Sequence, residues 1–374
     1  MLLSDFRSQV AALRFCPMLA PAGEVAAVSE CDGHTLRARS VMLWRALERG
    51  CALDGRSTEL LFQSTLDSIS QAYDPYHAPV WQIMRAARAD AVLTGGVPEP
   101  VAAALAELAK FAAPSVPQAK RIMLLGEIVL FGGDASHGKS LAEALRVAGH
   151  GDVEPWPALT GATALAFGDR ELARRQAEAI AGGLANSVVE EVICDSPETF
   201  WALSSMFADL EVKLPDTIQV SLFSRLLADS GVAPKKSNRT VYVHDSRASY
   251  LLREGEADSV TLKPGFRWEP EAREELCGSG AVYEHVRVVA DTAYDRREWD
   301  LWTRGLAKSC GSDDGLWMSY PETARKLALA RLDDAVELQA DVIVTDSPLA
   351  AWWLAKNRQP RHPAVAWLPE LFGN

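Results

Sequence analysis

Gly133-Asp-Ala-Ser-His-Gly-Lys-Ser140 fits the pattern G-x-x-x-x-G-K-[ST] without a mismatch. In such a loop, backbone amides cradle phosphate oxygens, the lysine reaches the β and γ phosphates, and the hydroxyl ligates Mg²⁺. Gly133, Gly138, Lys139 and Ser140 are therefore candidate cofactor-binding residues for ATP or ADP. Asp195, which closes the apolar run Val192-Ile-Cys, is the candidate acidic partner. A second candidate is His244–Asp245, an acid–base pair in principle because histidine titrates near neutrality. No nucleophile stands near it in the sequence. Asp313–Asp314 could hold a cation, although neighbouring carboxylates on a loop are more often solvated. The cysteines Cys16, Cys31, Cys51, Cys194, Cys277 and Cys310 include no CxxC pair, and no two lie within ten residues. They read as buried thiols, and a metal site would have to gather them singly from distant segments. No residue is singled out as catalytic.

These residues sit in an alternation of elements. Residues 1–115 read as helical: Val41–Leu47 and Pro100–Phe111 carry apolar residues at helical spacing, the latter entered through Glu99–Pro100. Phe111-Ala-Ala-Pro-Ser-Val-Pro117 reads as a linker. Ile122–Phe131 is then an apolar strand-like run closed by Gly132–Gly133. A helix over Ser140–Val147, a Pro-rich loop, a helix from Asp169 to about Ala181 and a strand over Val188–Cys194 follow. Asp169 is a good N-cap for its helix. The same rhythm returns with a strand at Thr240–His244, a helix at Pro321–Leu338 and a strand at Asp341–Thr345. Two strands end in similar words, Val192-Ile-Cys-Asp-Ser-Pro197 and Val342-Ile-Val-Thr-Asp-Ser-Pro348, which signals an internal duplication. The expected fold is α/β: a helical segment over 1–115, then two related domains with mainly parallel sheets over 116–236 and 237–374.

A net charge of −12 argues against a nucleic-acid partner, since phosphate binding needs clustered Lys and Arg. The longest apolar run contains Glu127 and is far too short to span a bilayer, so no transmembrane segment is expected. Asp5, Arg7 and Arg14 interrupt the first fifteen residues, so no signal peptide is expected and the default location is cytoplasmic. Tryptophans gather late in the chain, at Trp299, Trp302, Trp317, Trp352, Trp353 and Trp367; core and interface roles are equally in view.

Taken in order, several words resemble the duplicated Cys-Cys-Gly domain of heterodisulfide reductase subunits and of the iron–sulfur subunit of glycolate oxidase. Val241-Tyr-Val-His-Asp245 stands for the family's Tyr-His-Asp-Pro-Cys word, Ser309-Cys-Gly-Ser-Asp-Asp-Gly315 for its Cys-Cys-Gly loop, and Thr345-Asp-Ser-Pro348 for its Cys-Pro-x-Cys site. In the first half the matching words are Leu130-Phe-Gly-Gly133, Phe167-Gly-Asp-Arg-Glu171 and Asp195-Ser-Pro-Glu-Thr199. Leu13-Arg-Phe-Cys-Pro-Met18, Thr35-Leu-Arg-Ala-Arg39 and the stretch from Phe62 to His77 are similar to the ferredoxin-like region of the same subunits.

The resemblance implies four-thiolate [4Fe–4S] clusters, yet only Cys16 and Cys310 stand at ligand positions. Ser196, Thr199, Ser347 and Ala350 stand in the two Cys-Pro-x-Cys places. What it implies is therefore a degenerate, non-catalytic accessory subunit of a flavin-dependent oxidoreductase (dehydrogenase or demethylase) complex, with no cofactor of its own. Its implied partners are flavin-containing dehydrogenase subunits and an electron-transfer flavoprotein. Two alternatives stay open: a nucleotide-binding protein using the 133–140 turn, and an electron-transfer subunit with a residual [4Fe–4S] cluster.

Overall fold

The computed structural model describes residues 2–15, 22–66, 68–73, 78–131, 134–254, 281–300 and 302–373. Cys16, Gly133 and Cys277 lie outside the described residues.

The first 110 residues carry seven α-helices among those described. Their ends are set by local chemistry: the Thr35 hydroxyl accepts from the Ala38 N–H (3.2 Å) at the head of Leu36–Arg49, and Asp54 accepts from the Ser57 N–H (2.7 Å) at the head of Gly55–Phe62. Helix Val80–Leu93 ties this layer to the rest. Its Arg88, fully buried, donates to the Ala166 carbonyl (2.8 Å) of the segment that follows β2 and to the Ser64 carbonyl (2.8 Å) and hydroxyl (3.0 Å) within the helical layer. Gly168, at φ +88°, lies so close that a Cβ there would stand 2.5 Å from the Arg88 carbonyl carbon.

The α/β expectation holds: two four-stranded, all-parallel sheets follow. The first contains β1 (Arg121–Leu125), β2 (Glu154–Pro157), β3 (Glu191–Cys194) and β4 (Gln219–Leu222), in the order β2-β1-β3-β4. The second contains β5 (Thr240–Val243), β6 (Asp295–Arg297), β7 (Val342–Thr345) and β8 (Ala364–Trp367), in the order β6-β5-β7-β8. The two orders are the same, second-first-third-fourth, so the repeated sequence words correspond to a repeated topology. Along β1, Ile122 and Leu124 face one apolar core while Met123 and Leu125 face another, the two-residue alternation of a strand buried on both sides. That second core is common to both sheets, since Val241, Val243, Val342 and Val344 contribute to it.

The halves meet through equivalent parts. Helix Asp134–Val147 of the first packs on Leu368–Phe372 of the second, and Phe223–Ser230 of the first packs on Ala281–Asp291 of the second. Such exchange of partners is that of a two-fold interface, here within one chain.

Two expectations need correction. The apolar run Ile122–Phe131 is a strand only to Leu125; Gly126 ends it and a 3-10 helix follows over Glu127–Phe131. Gly126 is required there, because an added Cβ would fall 2.3 Å from Thr199 Oγ1. The Pro-rich loop contains β2, whose Pro155 and Pro157 are tolerated on an edge strand that pairs on one side only. Among the tryptophans, Trp299, Trp353 and Trp367 are buried, whereas Trp302, Trp317 and Trp352 are half-buried. Phe131 stacks between Trp317 and Trp352, with ring centroids 4.1 and 3.7 Å away.

Candidate functional site

In a parallel sheet of this order the chain leaves β1 in one direction and later crosses to its other side, making a switch point where loops diverge above the carboxyl ends of β1 and β3. Each half has one, and the two open onto a single cavity. It is lined by Glu127 after β1, Asp195 and Glu198 after β3, Arg247 after β5, Asp313 and Asp314 after β6, and Ser347 after β7. Trp81 of the helical layer and Trp201 form a wall, their rings edge to face at 5.7 Å. The space for the centres of water-sized molecules is about 60 Å³.

The strand ends determine what lines it. After β3, Ser196 is the N-cap of the next helix and its hydroxyl accepts from the Thr199 N–H (3.2 Å); after β7, Ser347 caps likewise through the Ala350 N–H (3.3 Å). Asp195, fully buried, accepts from Thr199 Oγ1 (2.7 Å), Ser196 Oγ (2.9 Å) and the Gly126 N–H (3.1 Å). Glu127 accepts from Thr160 Oγ1 (2.8 Å) through one oxygen and lies near the N–H groups of Ala162 and Thr163, while Oε2 has no hydrogen-bond partner among the described residues. Asp314 is paired with Arg247, and its Oδ2 likewise has none.

Burial dominates the electrostatics. It pushes Asp195 up to about 6 against the hydroxyls that accompany it, and Glu198 up to about 7 with Asp313 and Asp195 adding to the effect. Burial pushes Asp314 up to about 7 in spite of Arg247. Glu127 is also raised, and Asp346 is raised well above the ordinary range by burial, with the charges of Glu198 and Asp245 adding to it.

These shifts predict a pH dependence. Each raised carboxyl binds its proton more tightly in the folded chain, so its stabilisation is complete below the unfolded value and fades as pH rises through the folded one. His244 (lowered to about 3) and His285 (lowered to about 4) act in the opposite sense, but only below the ordinary histidine range. Among the described residues the carboxyls therefore stand alone above about pH 6.5, and the melting temperature is expected to fall between about pH 6.5 and 8. Glu198→Gln should shrink that fall; a flat or rising profile in the wild-type chain would contradict the assignment.

The other sequence candidates are placed as follows. Helix Asp134–Val147 begins ahead of Gly138, Lys139 and Ser140, so by position their N–H groups close helical bonds to carbonyls four residues back. Backbone amides committed in that way cannot cradle a phosphate, and Lys139 is exposed on the helix surface. These three residues do not fit the nucleotide arrangement that their pattern suggests. His244 is not an acid–base group near neutrality: burial and the neighbouring Arg331 keep it neutral, and its Nδ1 accepts from Arg331 Nε at 3.4 Å. Its neighbour Asp245 is locked to Arg287 by two bonds of 2.7 and 2.8 Å. Asp314 is not solvated but buried.

The thiolate ligand set is not assembled either. Cys310 is fully buried against Ser312 (3.2 Å), and burial pushes its thiol up to about 12. Ser196 and Ser347 are engaged as helix caps, the Thr199 hydroxyl donates to Asp195, and Ala350 has no ligating atom. Among the described residues no group of three or more His, Cys, Asp or Glu side chains is arranged to hold a metal ion. These residues do not fit a four-thiolate cluster.

The structure also revises the pairing of the halves. Gly311, at φ +88°, packs on the backbone of Ala324, and Gly161, at φ +93°, packs in the same way on Ala173. Thr160-Gly161, not Phe167-Gly168, is thus the counterpart of Cys310-Gly311, and Thr160 holds Glu127. Glu127, Glu198, Arg247 and Trp81 escaped the sequence reading. The one signal for them was the repeated Asp-Ser-Pro word, which marks both strand ends around which they gather. No protein-family model matches this chain, and no curated protein matches it.

Proposed function

We propose that the chain is a non-catalytic accessory subunit of a flavin-dependent oxidoreductase complex, on a scaffold similar to iron–sulfur electron-transfer subunits but without their clusters. One observation carries this reading: the helix-capping positions after β3 and β7, where the resemblance puts cysteines, hold Ser196 and Ser347, whose hydroxyls cap the next helix. A serine so engaged stabilises the turn that a thiolate would leave free for iron. The two-fold packing of the halves supports a scaffold role, since it joins the paired switch points through one common core. The expected partners are a flavin-containing dehydrogenase subunit and an electron-transfer flavoprotein.

Affinity purification from the native host, followed by identification of co-purifying subunits, tests the reading. A flavoprotein dehydrogenase is expected in the eluate, with iron and acid-labile sulfide on the anaerobically purified chain well below one per chain. Stoichiometric iron and sulfide would sink the proposal. So would a lone monomer with turnover of its own.

A further inference from the structure

The cavity between the switch points has lining chemistry that an accessory role leaves unused. We propose that it binds a small aliphatic ammonium ion, primary or secondary. The charge balance comes first: its lining contains five carboxylates, Glu127, Asp195, Glu198, Asp313 and Asp314, against one guanidinium, Arg247, which Asp314 already neutralises. A buried excess of carboxylate is costly unless a cation or protons compensate it.

Glu127 and Asp314 are only 7% and 8% exposed, yet Glu127 Oε2 and Asp314 Oδ2 have no hydrogen-bond partner among the described residues. Buried acceptors of this kind are rare in native proteins and call for an N–H or O–H donor. A primary or secondary ammonium supplies both the charge and the donors; a quaternary ammonium supplies the charge alone. The remaining wall is apolar, with Ile128, Leu165, Leu251 and Leu349 beside the two indoles, so it suits a short hydrocarbon body. At roughly 10–15 Å³ per water-sized site, about 60 Å³ admits a molecule of some four to six non-hydrogen atoms. Arg247 Nε and Nη1 and Trp81 Nε1 also lack partners among the described residues and are the features that favour an anion. They stand against five carboxylates.

This inference goes beyond the accessory-subunit reading and is independent of it, because a failure to bind amines leaves co-purification untouched. The test is titration of the full chain, followed by tryptophan fluorescence and thermal shift, with the chlorides of methylammonium, dimethylammonium, tetramethylammonium and potassium, and with sodium acetate. At a ceiling of about 1.5 kcal/mol per non-hydrogen atom, dimethylammonium is expected to bind with a dissociation constant of the order of millimolar and methylammonium with one of the order of ten millimolar. Tetramethylammonium, potassium and acetate should leave the signals unchanged. Glu127→Gln and Glu198→Gln should each weaken methylammonium about tenfold, the loss of one charge-assisted bond. The proposal is overturned if no amine binds, or if tetramethylammonium, potassium or acetate shifts the protein as far as methylammonium does. It is overturned equally if both variants fold and bind as the wild type. Should neither variant fold, the comparison of salts on the wild-type chain decides alone.

Discussion

Arg287→Ala is expected to destabilise the chain by about 3–5 kcal/mol, the usual cost of leaving a buried charge without its partner. The side chain is 1% exposed and forms the hub of the second half. It donates twice to Asp245, to Glu298 through Nε (2.8 Å), to Thr303 Oγ1 (2.8 Å) and to the carbonyl of Tyr283 (2.6 Å). Asp245 in turn accepts from the Arg304 N–H (2.7 Å), so one guanidinium fixes the carboxyl end of β5, the helix Ala281–Asp291 and the turn at Thr303 together. Burial alone would raise Glu298, but Arg287 and Thr303 bring it down to about 2. The measurement is a urea denaturation curve. Arg287→Lys should lose nearly as much, because an ammonium cannot form the paired contacts to two carboxylates. A change below about 1 kcal/mol in Arg287→Ala would show that the network is not what holds these segments.

Gly311→Ala ranks beside it. The residue has φ +88°, and an added Cβ would stand 2.3 Å from the Ala324 carbonyl oxygen and 2.8 Å from its Cα. Backbone strain of about 1–3 kcal/mol and overpacking of about 1–3 kcal/mol act together, since the atoms in the way are helix backbone and cannot rotate aside. Gly161→Ala meets the same obstacle at Ala173, with a closest approach of 2.6 Å, and should cost somewhat less. Gly151→Ala is the control: its φ is +73°, yet nothing lies within 4 Å, so only the strain remains. Thermal or chemical denaturation of the three variants should rank them Gly311, Gly161, Gly151 in decreasing loss. Equal losses would mean that close packing against the two helices contributes nothing.

What the sequence made legible was local. Asp169 caps its helix as expected, accepting from the Leu172 N–H at 2.9 Å, and the duplicated Asp-Ser-Pro words do close equivalent strands. What it concealed was assembled from a distance. Glu127 read as one polar residue in an apolar run, because nothing local announces that Gly126 ends the strand and turns the carboxylate toward Thr160. Pro155 and Pro157 read as loop, since proline's lack of an N–H matters only where a neighbouring strand needs one. The phosphate-loop pattern was misleading for a related reason: a helix that starts at Asp134 absorbs the amides on which the pattern depends. The pairing of Thr160-Gly161 with Cys310-Gly311 was hidden because the glycines share a contact and not a surrounding sequence.

The exchange of helices between the halves has one more consequence. A cavity lying across a two-fold relation would by default receive a guest equally well in two opposite orientations. Here the counterparts differ. Counting from the capping serines, Glu198 corresponds to Leu349; counting from the packed glycines, Asp314 corresponds to Ala164; counting from the strand ends, Arg247 corresponds to Val129. The degeneracy is therefore broken. Anything held there has a head and a tail, and Leu349→Glu, which copies Glu198 onto the opposite side, would restore part of the missing second pose.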